Sequence, residues 1–180
     1  MTNSTGTIVE YSRADLAKAS PASTLTLSNV GGILSFDPSG DLWVSNGSTS
    51  VAEFTKSQLT RSGTPKPNAT LGDSGCTLAI DASGDVWVGT ASGLSEFTEA
   101  EITKSGSPAP KVTITTTSLS NSCKPAFDRS GDLWAADYGG STVLEFTKAQ
   151  LAKSGSPTPA RTIKGAATGL NNPSYLVIEP

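Results

Sequence analysis

The 180-residue chain has no histidine, which removes the commonest general base, the commonest neutral metal ligand and every Ser-His or Cys-His arrangement. It has two cysteines, Cys76 and Cys123, too far apart for a Cys-x-x-Cys metal or redox motif. Its one methionine stands at position 1. No apolar run is long enough to span a bilayer, and no charged-then-apolar leader follows Met1, so no membrane insertion or export signal is expected of these residues. Charge of either sign is scarce. Thirteen basic against sixteen acidic residues leave a net charge of −3, with no general attraction to nucleic acid or an anionic membrane.

What the chain does have is 18 glycines, 11 prolines and much Ser and Thr, a composition for short strands joined by tight turns. Phe36-Asp-Pro-Ser-Gly-Asp-Leu-Trp-Val44 recurs as Ile80-Asp-Ala-Ser-Gly-Asp-Val-Trp-Val88 and as Phe127-Asp-Arg-Ser-Gly-Asp-Leu-Trp-Ala135. Each copy reads as a β-hairpin: the end of one strand, an Asp-x-Ser-Gly turn, and a second strand with Trp at its centre. The copies stand 44 and 47 residues apart, a period of the propeller and array class.

The rest of the unit repeats too. Val51-Ala-Glu-Phe54, Leu94-Ser-Glu-Phe97 and Val143-Leu-Glu-Phe146 mark a third strand, with Ile8-Val-Glu-Tyr11 an earlier copy. A Thr or Ser N-cap then opens a single helical turn at Ser12, Thr55, Thr98 and Thr147. Gly63, Gly106 and Gly155 are expected to end that turn, and a Pro-x-Pro step leads into a fourth strand at Ala69–Leu71, Val112–Ile114 and Arg161–Ile163. Apolar residues on both sides of each Trp put both faces of the second strand in a core, which suits blades stacked around an axis better than a two-sheet sandwich.

The recurring Asp-x-Ser-Gly-Asp-(Leu/Val)-Trp hairpin, the Glu-Phe third strand and the Ser-Gly-Ser-Pro connector resemble the NHL-type and virginiamycin B lyase-like propeller repeats of bacteria, with gluconolactonase-like propellers more distant. The expected fold is all-β: a propeller of four-stranded antiparallel blades, with three full blades and a partial blade at each end. The expected spans are third and fourth strands in 1–27, blades in 28–71, 72–115 and 116–165, and a further first strand in 166–180. Additional blades or self-association would complete the ring.

Hairpin turns and connectors should share one face, and the fourth-to-first and second-to-third strand loops the other, where related propellers bind ligands. A residue present in every copy is read as a structural requirement of the blade. On that rule Asp37, Asp81 and Asp128 bond the amides of their own turns, with Asp41, Asp85 and Asp132 acting alongside. Glu10, Glu53, Glu96 and Glu145 pair with nearby cations, and Trp43, Trp87 and Trp134 fill the space between blades. Unrepeated polar residues on the loop face are the ligand-binding candidates: Asn46, Asp73, Asn121, Lys124, Asp137 and Tyr138. Cys76 and Cys123 hold the same position in adjacent blades, as small buried residues or as a disulfide across the channel mouth.

Lyase chemistry of the kind the resemblance implies would need a histidine, and lactonase chemistry a carboxylate metal cluster for which only Asp73 and Asp137 are candidates. No catalytic residue, metal site or cofactor is therefore assigned. The expected function is a non-catalytic scaffold, extracellular or in the cell envelope, presenting loops to a protein, glycan or small polar ligand. The alternative is part of a propeller enzyme whose catalytic residues lie outside these 180. Lys56, Arg61, Lys66, Lys148 and Lys153 lie in connectors beside the turn aspartates, so nucleic acid is not an expected partner.

Overall fold

The computed structural model describes residues 6–46, 50–72, 77–90, 93–103, 106–119 and 122–178, without the side chains of 122–124. Among them are fourteen strands in four antiparallel sheets. A two-stranded sheet pairs β1 (Thr7–Glu10) with β2 (Leu25–Ser28). The first four-stranded blade runs in chain order through β3 (Ile33–Phe36), β4 (Leu42–Ser45), β5 (Val51–Phe54) and β6 (Ala69–Leu71). The second holds β7 (Thr77–Ile80), β8 (Val86–Thr90), β9 (Gly93–Phe97) and β10 (Val112–Thr115). The third holds β11 (Ser122–Phe127), β12 (Leu133–Asp137), β13 (Thr142–Phe146) and β14 (Arg161–Ile163).

The second strands of the first two blades are buried on both faces, for a reason visible in their alternation. Leu42 and Val44 point back into a core shared with Ile8, Leu25 and Leu27 of the two-stranded sheet. Trp43, between them, points forward into a core with Leu78, Val86, Val88 and Phe97 of the second blade. Trp87 repeats this one blade later, packing with Leu133, Ala135 and Leu144 of the third. Each core is thus built by two neighbouring sheets. The three blades are successive blades of a β-propeller.

The helical turns form where their caps predict: α1 (Arg13–Leu16), a 3-10 turn at Lys56–Thr60, α2 (Glu99–Ile102) and α3 (Lys148–Leu151). Gln58, Glu101 and Gln150 return a side-chain oxygen to the amide of the capping Thr at 2.8–2.9 Å, a reciprocal capping arrangement. The glycines expected to end these turns do something else. The turns finish at Arg61, Thr103 and Ala152, and Gly63, Gly106 and Gly155 go on to bridge Leu27 in β2, Leu71 in β6 and Ile114 in β10, each in the preceding sheet. The Gly106 amide donates to the Thr70 carbonyl at 2.9 Å, and Gly155 repeats the bond to Thr113 at 3.0 Å. The connector is a stitch from each blade to the one before it.

One expected element is not formed. The described part of 166–180 holds a 3-10 turn at Ala166–Thr168 and no strand, with Tyr175 and Val177 63% and 89% exposed. An apolar first-strand pattern becomes a strand only where a ladder partner meets it, and Tyr175–Ile178 lies outside every sheet.

Candidate functional site

The turn aspartates of the first and third blades are used from both oxygens. Oδ1 of Asp37, Asp81 and Asp128 accepts two amides of its own turn, from Ser39 and Asp41, Ser83 and Asp85, and Ser130 and Asp132, all at 2.8–3.1 Å. Oδ2 of Asp37 and of Asp128 accepts the indole N–H of Trp43 and of Trp134 at 3.0 Å. The Trp134 bond and the turn amides hold the Asp128 carboxyl below its ordinary range, because each donates to the charged form. In the second blade Trp87 departs from this. Its Nε1 is buried with no acceptor, and its ring meets Phe127 edge-on at 6.0 Å.

In the first and third blades the second aspartate of the turn reaches the connector. Asp41 Oδ1 accepts the Lys56 amide at 2.6 Å and Asp132 Oδ1 the Lys148 amide at 2.7 Å, locking the helical turn against the hairpin. Strand register supplies a third carboxylate, since Trp43, Trp87 and Trp134 stand directly opposite Glu53, Glu96 and Glu145. Asp81, Asp85 and Glu96 converge with carboxylate oxygens within 4.8 Å of one another, as do Asp128, Asp132 and Glu145.

Each of these glutamates meets a polar side chain at the start of the fourth strand, and the partner differs by blade; the Arg161–Glu145 contact is an ion pair without hydrogen-bond geometry. Asn68 Nδ2 donates to Glu53 Oε2 at 2.9 Å. Lys111 Nζ lies 3.0 Å from Glu96 and 3.7 Å from Asp85, and Arg161 Nε lies 3.2 Å from Glu145. Burial raises Glu53 above the usual glutamate range, against the pull of Asn68. Burial also raises Glu96, with Asp85 adding to it and Lys111 opposing it. Lys111 is raised in turn, chiefly by its hydrogen bond to Glu96. A divalent cation of the hard type would want six or more oxygens, whereas a protein cation already stands beside the glutamate of each triplet. Each triplet thus sets one cation against three carboxylates, while Glu53 meets a neutral amide.

The loop-face candidates are distributed unevenly. Asn46 is exposed and its amide donates to the Ser50 carbonyl at 2.9 Å. Asp137 is 2% exposed at the end of β12, folded under Gly140, where a Cβ would come within 1.9 Å of Asp137 Oδ2. Tyr138 is 43% exposed, and its carbonyl accepts the side-chain amide of Asn172 at 2.9 Å. The Asn172 backbone amide donates to Ser141 at 3.1 Å, so the chain after the third blade is pinned to the β12–β13 loop. Asp73, Asn121 and Cys76 lie outside the described residues, as do the side chains of Lys124 and Cys123.

No protein-family model and no curated protein sequence matches the chain. Its fold is similar to two solved propeller-like structures. One is a streptogramin B lyase, at 15% identity and a TM-score of 0.45, covering 64% of this chain and 37% of that one. The other is the extracellular domain of BT4673, a putative one-component system from B. thetaiotaomicron, at 17% identity and a TM-score of 0.43. That match covers 68% of this chain and 17% of that one. The chain therefore spans well under half the length of either.

Two features of the site were hidden in the sequence. The Asp–Trp bond spans six residues and was signalled only by their joint recurrence. The convergence of Asp, Asp and Glu depends on the β4–β5 type of register, for which the repeated Trp and Glu were the available signal.

Proposed function

We propose that this chain is a non-catalytic propeller scaffold, working outside the cell or in its envelope, whose loop face binds a protein, glycan or other polar ligand. The observation that supports the non-catalytic reading is that Glu53, Glu96 and Glu145, one position in three successive blades, each already have a protein side chain as partner. Three different side chains, Asn68, Lys111 and Arg161, meet the same glutamate position in successive blades. Recurrence of the glutamate in every blade supports a structural role, since a proton-transfer group need occur only once.

Of the three ligand classes, a neutral glycan suits the described loop residues best. Tyr138 offers an exposed ring for a sugar face, while Asn46 is exposed and Asn172 is ordered beside Tyr138. The test is titration of the chain with a panel of neutral oligosaccharides, following loop-face amide shifts by NMR. The reading expects saturable shifts around Tyr138 that Tyr138→Ala weakens at least tenfold. No saturable shift across the panel, or binding indifferent to that substitution, would overturn the glycan assignment.

A further inference from the structure

In both interfaces between full blades, an apolar residue ending the first strand receives the tryptophan of the blade before it. Ile80 packs in the core that holds Trp43, and Phe127 meets the edge of Trp87 at 6.0 Å. Phe36 holds the same position in the first blade, pairing with Leu42 as Ile80 pairs with Val86 and Phe127 with Leu133. Yet Phe36 is 61% exposed. It stands on the wall of a cavity of about 580 Å³, lined by Leu34 and Leu42 of the first blade, Ile8 and Leu25 of the two-stranded sheet, and Leu16 of α1.

The two-stranded sheet shows what this cavity matches. Gly63 bridges β2 at Leu27 as Gly106 bridges the fourth strand of the first blade, so β1 and β2 stand as third and fourth strands of a preceding blade. Among the described residues that sheet has two strands where each other sheet has four. The cavity lies where its first and second strands would be. Its rim carries Lys56, the counterpart of Lys148, which lines the cleft between the second and third blades together with Asp81 and Asp85 of the second. The rim thus offers one lysine, with Glu10 also on the wall, where an incoming turn would bring two aspartates.

We propose that this cavity is a docking site for one kind of partner: a β-hairpin of the repeat's own first and second strands, with the pattern Asp-x-Ser-Gly-Asp-(Leu/Val)-Trp. Its tryptophan packs on Phe36 as Trp87 packs on Phe127, its two strands complete the sheet begun by β1 and β2, and its turn aspartates face Lys56.

The test uses the whole chain and a fluorescein-labelled peptide of sequence Ile33–Ser45, with binding read by fluorescence anisotropy. The proposal expects saturable binding, weakened at least tenfold when the peptide's Trp is replaced by Ala and at least tenfold by Phe36→Glu in the chain. Because Phe36 is exposed, that variant should keep the parent's circular dichroism. Leu16→Glu, at a second exposed wall residue 56% open to solvent, should weaken binding in the same direction. No binding at millimolar peptide, equal binding of the Ala peptide, or binding untouched by both variants would overturn the proposal. So would a dimer of the chain, seen by sedimentation, that occupies the cavity and resists displacement by the peptide.

Discussion

The face between the second and third blades and the face in front of the first are built from the same words of sequence and have opposite fates. At the inner face Trp87 is 2% exposed and Phe127 is partly buried against it; at the outer, Phe36 is 61% exposed beside a cavity. The hairpin motif therefore specifies half an interface, and burial belongs to the pair. Trp134 makes the same point from the other end, since it keeps its hydrogen bond to Asp128 yet is only half-buried. The Asp–Trp bond is a property of one hairpin, while the hydrophobic contribution belongs to two.

The largest effect that bears on this comparison is expected from Trp87→Ala. Removing a fully buried indole from the inner interface should cost about 3–5 kcal/mol in urea unfolding. A loss below about 1 kcal/mol would mean the blades do not depend on one another through this residue.

Asp128→Asn comes next, because it sets an amide group against the Trp134 indole N–H and disturbs a bonded carboxylate, at about 1–3 kcal/mol. Asp81→Asn should cost less, since Trp87 Nε1 has no acceptor to lose. The reverse order, measured in the same unfolding series, would contradict the assignment of Oδ2 to the tryptophan.

Gly106→Ala tests the stitch between blades. Gly106 sits at φ 148° with open space around an added Cβ, so the cost is backbone strain of about 1–3 kcal/mol and not a clash. A neutral result by thermal unfolding would show that the bridge to Leu71 is incidental.

The smallest effect is a pH dependence. Glu53 is raised in the fold, so its favourable contribution is complete below its ordinary value of 4.5 and is lost as pH rises through the higher folded value. Asp128 is lowered, so its contribution is complete above its ordinary value of 3.8 and is lost as pH falls through the folded one. Glu53→Gln should therefore flatten the decline of stability on the rising side of the glutamate range and leave the acid limb in place. An unchanged slope in unfolding midpoints taken across that range would contradict the burial of Glu53.

Legibility followed locality. The Asp37, Asp81 and Asp128 turns, the Thr55, Thr98 and Thr147 caps and the pairing of Glu96 and Glu145 with cations were readable, because each involves near neighbours or a residue type recurring at fixed spacing. The bridges of Gly63, Gly106 and Gly155 were not, since nothing near a glycine says that its amide will cross to the sheet before it. Residues 166–180 carry a first-strand pattern as good as that of Ile33–Phe36, and only the partner differs. The triplets around Glu96 and Glu145 needed strand register, which sequence implies only once the blade is known.

The most direct test of the account sets Phe127→Ala beside Phe36→Ala in one urea-unfolding experiment on the full chain. Phe127 has its tryptophan, so its truncation should cost about 2 kcal/mol or more, whereas Phe36 should change stability by no more than about 0.5 kcal/mol. Equal losses at the two positions would contradict the claim that this motif stabilises the fold only when the neighbouring blade supplies its Trp.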